Sequence, residues 1–117
     1  MLFLQYPPCS TCKKAKKWLD EHGVAYEARD IKQDSPTQEE LRAWQARSGL
    51  PLKRFFNTSG QLYRSLQLKE KLPAMPEAEQ LALLAGDGML VKRPLAVGED
   101  FVLVGFKEAE WEQTLLK

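Results

Sequence analysis

The chain has 117 residues, with 44% hydrophobic and 28% charged residues, and 17 Lys+Arg against 16 Asp+Glu set its formal net charge at +1. That length fits one compact domain of ordinary globular composition, and a near-neutral balance argues against direct nucleic-acid binding. No apolar run approaches the roughly 20 residues of a membrane span, and the short apolar start, Met1 to Tyr6, has no basic leader, so the cytoplasm is the expected compartment.

Residues 2–6 read as a short buried strand that Pro7 and Pro8 end. A helix is predicted from Ser10 to His22, with Ala15, Trp18 and Leu19 on one face, Lys13, Lys14, Lys16 and Lys17 on the other, and Gly23 as its left-handed stop. Residues 24–31 read as a second strand with Val24, Tyr26 and Ala28 on one side. Strand, helix and strand within about 30 residues make a βαβ unit, so the two strands are expected to be parallel.

Ser35-Pro36-Thr37-Gln38 reads as the next helix start, with Ser35 as cap and Gln38 completing a capping box. Leu41 and Trp44 share a face, and Gly49 closes the helix. From Pro51 to Leu72 the apolar spacing is mostly helical, interrupted at Asn57-Thr58-Ser59-Gly60, and a further helix is expected from Pro76 to Ala85. Residues 95–97 and 101–104 then form two strands joined by Gly98-Glu99-Asp100, which must be antiparallel. A last helix runs from Glu108 to Leu116. Trp18, Trp44, Trp111, Phe55 and Phe56 are expected in the core, and His22 at a helix C-terminus suits the dipole there.

Two cysteines, Cys9 and Cys12, lie where the first strand hands over to the first helix. The free N–H groups and dipole of a helix start favour an anion, so the Cys9 thiol should ionise more easily than a free one. Lys13 and Lys16 add positive charge nearby. Cys12 sits one turn on, within reach of a disulfide with Cys9. The pair then supports two-step thiol–disulfide chemistry, with Cys9 as nucleophile and Cys12 as resolving thiol. A zinc half-site and a pair of inert buried thiols are the competing readings. With His22 as the only histidine and no third cysteine, no metal site is expected. The lysine run reads first as a solvated helix face.

Three stretches together resemble a known family: Tyr6-Pro7-Pro8-Cys9-Ser10-Thr11-Cys12-Lys13-Lys14-Ala15, then Phe56-Asn57-Thr58-Ser59-Gly60, then Lys92-Arg93-Pro94-Leu95 followed by Val104-Gly105-Phe106. They are similar to the ArsC/Spx family, which includes glutaredoxin-coupled arsenate reductases and Spx-type redox regulators of RNA polymerase. The resemblance implies an α/β, thioredoxin-like fold: a mixed four-stranded sheet with a helical insert between strands 2 and 3. The core would be residues 1–34 and 86–117, and the insert 35–85, within one domain 1–117.

The resemblance further implies Cys9 as nucleophile and Arg93 as stabiliser of the thiolate or of an oxyanion, beside a proline, Pro94, that is typically cis in the family. Ser10, Thr11, Lys13, Asn57 and Pro94 are the matching substrate-binding candidates. The arsenate reductases use three arginines, of which Arg93 is matched here while Asn57 and Phe106 stand at the other two places, with Arg54 and Lys107 close by in sequence. The Spx-type regulators carry two cysteines in this spacing and use a glycine at the position of Gly49 to dock on the polymerase α subunit. They also continue beyond the last helix, whereas this sequence ends at Lys117. The implied activity is a thiol-dependent reductase acting on a thiol or oxyanion substrate, without a bound cofactor, reduced by glutathione, glutaredoxin or thioredoxin. Arsenate reduction proper and a polymerase-binding redox regulator are the alternatives.

Overall fold

The computed structural model describes residues 1–116. Four strands, β1 (Leu2–Gln5), β2 (Glu27–Asp30), β3 (Leu95–Val97) and β4 (Val102–Val104), form one mixed sheet in the order β2-β1-β3-β4. β1 runs parallel to β2, with Phe3 opposite Ala28, and antiparallel to β3, with Phe3 opposite Ala96. β3 and β4 pair antiparallel with Ala96 opposite Leu103.

Strand alternation sorts the core into two layers. Leu4, Leu95, Val97, Val102 and Val104 point to one face, where they pack with Leu41, Trp44, Phe55, Phe56, Leu81 and Leu84. Phe3, Ala96 and Leu103 point to the other, against Ala15, Trp18 and Leu19 of α1 (Ser10–Glu21) and Trp111 of α6 (Glu108–Leu115). Trp111 lies edge-on to Phe3, Trp18 and Phe106, and its Nε1–H donates to the Gly105 carbonyl across 3.2 Å. The three tryptophans and Phe55 and Phe56 are all buried, as their spacing predicts. The His22 ring stacks on Trp18 and bonds the Trp18 carbonyl through Nδ1 at 2.8 Å, so it closes the last turn of α1 directly.

The chain between β2 and β3 is helical. It contains α2 (Gln38–Ser48), α3 (Gln61–Ser65), α4 (Leu68–Lys71) and α5 (Glu77–Gly86), with short 3₁₀ turns at Leu52–Phe55, Leu72–Ala74 and Gly88–Leu90. The continuous helical spacing read between Pro51 and Leu72 is broken into these short pieces, one break being Gln67 in the left-handed conformation (φ 54°). Gly88 allows the return to the sheet. A Cβ there would stand 1.8 Å from the Ile31 carbonyl oxygen, so the end of the helical segment is in backbone contact with its beginning.

Two expectations are corrected. The cap of α2 is Thr37, not Ser35: Thr37 Oγ1 accepts from the Glu40 N–H at 3.1 Å, and the Glu40 carboxylate accepts from the Thr37 N–H at 3.0 Å. Glu40 outcompetes Gln38 because its carboxylate also takes a two-pronged bond from Arg29, at 2.8 and 2.9 Å. The second strand is Glu27–Asp30, shorter than 24–31. Val24 and Tyr26 pack against the α1 side of the core outside the ladder, and Ala28 is exposed on the sheet edge. Gly49 ends α2 in the left-handed conformation (φ 70°), as its position predicts.

Candidate active site

The turn Pro7-Pro8 delivers Cys9 to the N-cap of α1, where its N–H bonds the Tyr6 carbonyl at 2.9 Å and its carbonyl accepts from Lys13 at 3.0 Å. No side chain caps this helix, and its first turn holds no acid, so the unpaired N–H groups are open to an anion. The Cys9 sulfur is the nearest candidate. Burial pushes its thiol up, but the N–H and thiol of Cys12, the Thr11 N–H and the Arg93 guanidinium together outweigh that and hold it below the ordinary thiol value. The cation beside Cys9 is Arg93, while Lys13 and Lys16 border a separate hollow along α1.

Cys12 is fully buried, and the Tyr6 N–H donates to its sulfur at 3.4 Å. Burial, set against that bond and reinforced by neighbouring Cys9, pushes its thiol up to about 12. Both cysteines are free thiols in the structure. One helical turn thus carries two sulfurs in opposite states: the first biased towards thiolate, the second held protonated behind it.

Cys9 opens into a cleft of about 490 Å³. Thr11 lines it from α1; Arg54, Asn57, Ser59 and Gly60 from the helical segment; Lys92 and Arg93 from the approach to β3; and Gly105, Phe106 and Lys107 from beyond β4. Short backbone bonds bring these pieces together. The Asn57 N–H donates to the Leu90 carbonyl, and the Lys92 N–H to the Phe55 carbonyl, both at 2.7 Å, around a bridge between Phe56 and Val91. The Gly105 N–H donates to the Pro94 carbonyl at 2.9 Å, with Gly105 at φ 76°. The Arg93–Pro94 peptide is cis. Arg93 lies over the Tyr6 ring, 5.1 Å from its centroid, and bonds the Met89 carbonyl at 3.3 Å. Among the described residues no carboxylate lines the cleft, while four cations do: Arg54, Lys92, Arg93 and Lys107.

Of the residues singled out from sequence, Cys9, Thr11, Asn57 and Arg93 share this cleft. Cys12 and Pro94 are buried. Ser10 is exposed at the start of α1, and Lys13 lines a separate shallow hollow with Lys16, Lys17, Asp20 and Glu21. Gly49 is exposed at the end of α2 and belongs to neither. Sequence reasoning passed over Lys92 as a site residue. Its signal was adjacency to Arg93 on the segment that leads directly into β3. A larger hollow of about 730 Å³, bounded by Gln45, Tyr63, Leu72, Met75 and Gln80, contains neither cysteine.

The sequence pattern of the ArsC family matches residues 4–114. The chain is 56% identical over 113 residues to the uncharacterized protein YusI of Bacillus subtilis, covering 97% of this chain and 96% of that one. It is 29% identical over 104 residues to the global transcriptional regulator Spx of Enterococcus faecalis, covering 89% of this chain and 77% of the regulator. Among solved structures, an ArsC-family-related protein from Bacteroides fragilis superimposes with a TM-score of 0.94 at 64% identity, covering 96% and 94% of the two chains.

Proposed function

The chain belongs to the ArsC family, and from that premise we propose that it is a thiol–disulfide reductase in which Cys9 attacks and Cys12 resolves. The observation that carries this reading is the opposite bias of the two thiols on one turn of α1. The Cys9 thiolate attacks one sulfur of a substrate disulfide. A Cys9–substrate bond forms, the substrate S–S bond breaks, and the leaving thiolate takes the electron pair and then a proton. Conversion of Cys9 to a mixed disulfide removes its negative charge, and with it one of the causes that hold the Cys12 proton. Cys12 then loses its proton to solvent and attacks the Cys9 sulfur. The second substrate thiolate leaves, and a Cys9–Cys12 disulfide holds the two-electron oxidation. Glutathione, glutaredoxin or thioredoxin restores the dithiol.

The test is a pair of single variants. Cys9→Ser should abolish turnover of a small disulfide, and Cys12→Ser should accumulate the Cys9 mixed disulfide, visible by intact mass. A Cys12→Ser protein that never retains a substrate thiol would sink this reading.

A second reading, arsenate reduction, is favoured by the cleft of four cations, which offers an oxyanion a positive lining although Asn57 and Phe106 stand where the resembled reductases place arginine. Arsenate-dependent oxidation of glutathione in the presence of glutaredoxin supports it; none excludes it. The likeness to Spx favours a third, binding to the RNA polymerase α subunit through the exposed Gly49. It requires that Gly49→Arg abolish a complex formed by the unaltered protein.

A further inference from the structure

The charge on this nearly neutral chain is unevenly placed. Around Cys9, the cleft carries Arg54, Lys92, Arg93 and Lys107. Immediately along α1 follow Lys13, Lys14, Lys16 and Lys17, all exposed. Among the described residues, Lys13, Lys14, Lys17, Arg54 and Lys92 make no ion pair. Lys16 meets Asp20 at 3.7 Å, and Lys107 meets Glu110 at 3.9 Å, both loose surface contacts. Asp20 and Glu21 border the hollow of Lys13, Lys16 and Lys17 at the far end of α1, Glu108 and Glu110 lie on α6, and none of these four acids lines the cleft.

Size decides what this charge serves. A small anion seated against Cys9 is surrounded by the cleft residues alone. The lysines of α1 line no part of that cleft, and Lys13, Lys16 and Lys17 face a separate hollow. Lys13 to Lys17 span about 6 Å of helix rise and border their own hollow, which Asp20 and Glu21 close at its far side, so a small anion seated in the cleft does not reach them. Only a partner broad enough to cover both the cleft mouth and the first turns of α1 meets all of this charge.

We propose that the cleft rim and the lysine face of α1 together form the docking surface for a redox protein whose own dithiol is rimmed by carboxylates, the donor that reduces the Cys9–Cys12 disulfide. This rests on the thiol–disulfide reading above. One thiolate of the partner attacks the Cys9–Cys12 bond and forms an intermolecular disulfide; its second thiol displaces that bond. The two chain thiols are regenerated, and the partner leaves as its own disulfide with both electrons transferred. Complementary charge raises the rate of productive encounter by about 10- to 1000-fold, and salt screens it over about 10 Å at 0.1 M.

The experiment oxidises the protein and times the return of its thiols with two reductants: a thioredoxin with an acidic rim around its dithiol, and dithiothreitol, which is small and neutral. The double variant Lys14→Glu/Lys17→Glu should slow reduction by thioredoxin about tenfold in dilute salt, with the gap closing near 0.5 M. Reduction by dithiothreitol should be unchanged, and Lys14→Arg/Lys17→Arg should match the parent. An unchanged thioredoxin rate, or an equal fall with both reductants, overturns the docking surface. Failure of the unaltered protein to form any Cys9–Cys12 disulfide overturns the redox reading instead.

Discussion

The Tyr6 N–H donates to the buried Cys12 sulfur across 3.4 Å, so the last residue before the Pro-Pro turn fixes the second thiol of the α1 start. The same residue presents its ring to the Arg93 guanidinium and its carbonyl to the Cys9 N–H. Tyr6 thus touches all three groups to which the redox chemistry is assigned. Two of its contacts are backbone ones and survive substitution, whereas the platform under Arg93 does not.

The two cysteines should separate cleanly by pH. Because its thiol lies below the ordinary value, Cys9 should react with iodoacetamide with a midpoint below that of the same cysteine in the unfolded chain. Cys12, pushed up to about 12 and buried, should stay unmodified through pH 9 in the folded protein. Peptide mass mapping against pH reads both; equal labelling of the two sites contradicts the assignment.

Arg93→Gln removes a cation that helps hold Cys9 ionised, so its alkylation midpoint should move upward. A charge-assisted hydrogen bond at a partly open site is worth about 1.5 kcal/mol, which converts to about tenfold in rate at neutral pH. The rate at high pH, where Cys9 is ionised in both proteins, should differ much less. A uniform fall at every pH would point to lost folding or lost substrate contact instead.

Acid should weaken the fold through Glu40. Its bond with Arg29 is the main cause that holds this carboxyl below its ordinary value, burial opposing it. A lowered folded pKa contributes stability that is present above the unfolded value of about 4.3 and is lost as pH falls through the folded one. Glu40→Gln should therefore cost about 1–2 kcal/mol at pH 7, with Glu40 about one-third exposed. The difference from the parent should shrink below pH 4. Urea midpoints at pH 7 and pH 3 read it.

Gly88→Ala should be among the most damaging single changes outside the core. The added methyl meets the Ile31 carbonyl oxygen at 1.8 Å, and backbone on both sides must shift. A loss of about 3 kcal/mol or more is expected, seen as a lowered thermal midpoint. Gly86→Ala, with nothing within 4 Å, is the matched control and should change stability little.

Alternation and spacing made much of the architecture legible. Leu2 to Tyr6, the Ala15-Trp18-Leu19 stripe and the paired runs 95–97 and 101–104 specify a parallel pair and an antiparallel pair, and both are observed. The stretch between Pro51 and Leu72 was less readable, because its apolar residues serve short helices separated by a left-handed Gln67 rather than one periodic face. The cap of α2 had two overlapping local candidates, Ser35-x-x-Gln38 and Thr37-x-x-Glu40, and the second forms, with Arg29, eleven residues before Glu40, adding a tertiary bond to the same carboxylate. At the site, Cys9 and Cys12 were readable from their place between strand and helix. The cleft was not, since Arg54 and Lys92 become neighbours when the bridge at Phe56 and Val91 closes, and Lys107 joins them through the bond from Gly105 to Pro94.

The backbone contact between Ile31 and Gly88 makes the helical segment a closed excursion from the sheet. Its two ends meet, so the segment leaves and rejoins the sheet at one place while its buried residues cover one face of that sheet. Yet this excursion contributes Arg54, Asn57, Ser59 and Gly60 to the wall opposite Cys9. Under the reading proposed above, the nucleophile and part of the wall that selects its substrate therefore lie in separate stretches of chain. A graft of residues 32–87 from a relative, with the buried positions kept, should shift substrate preference and leave the nucleophile as it was.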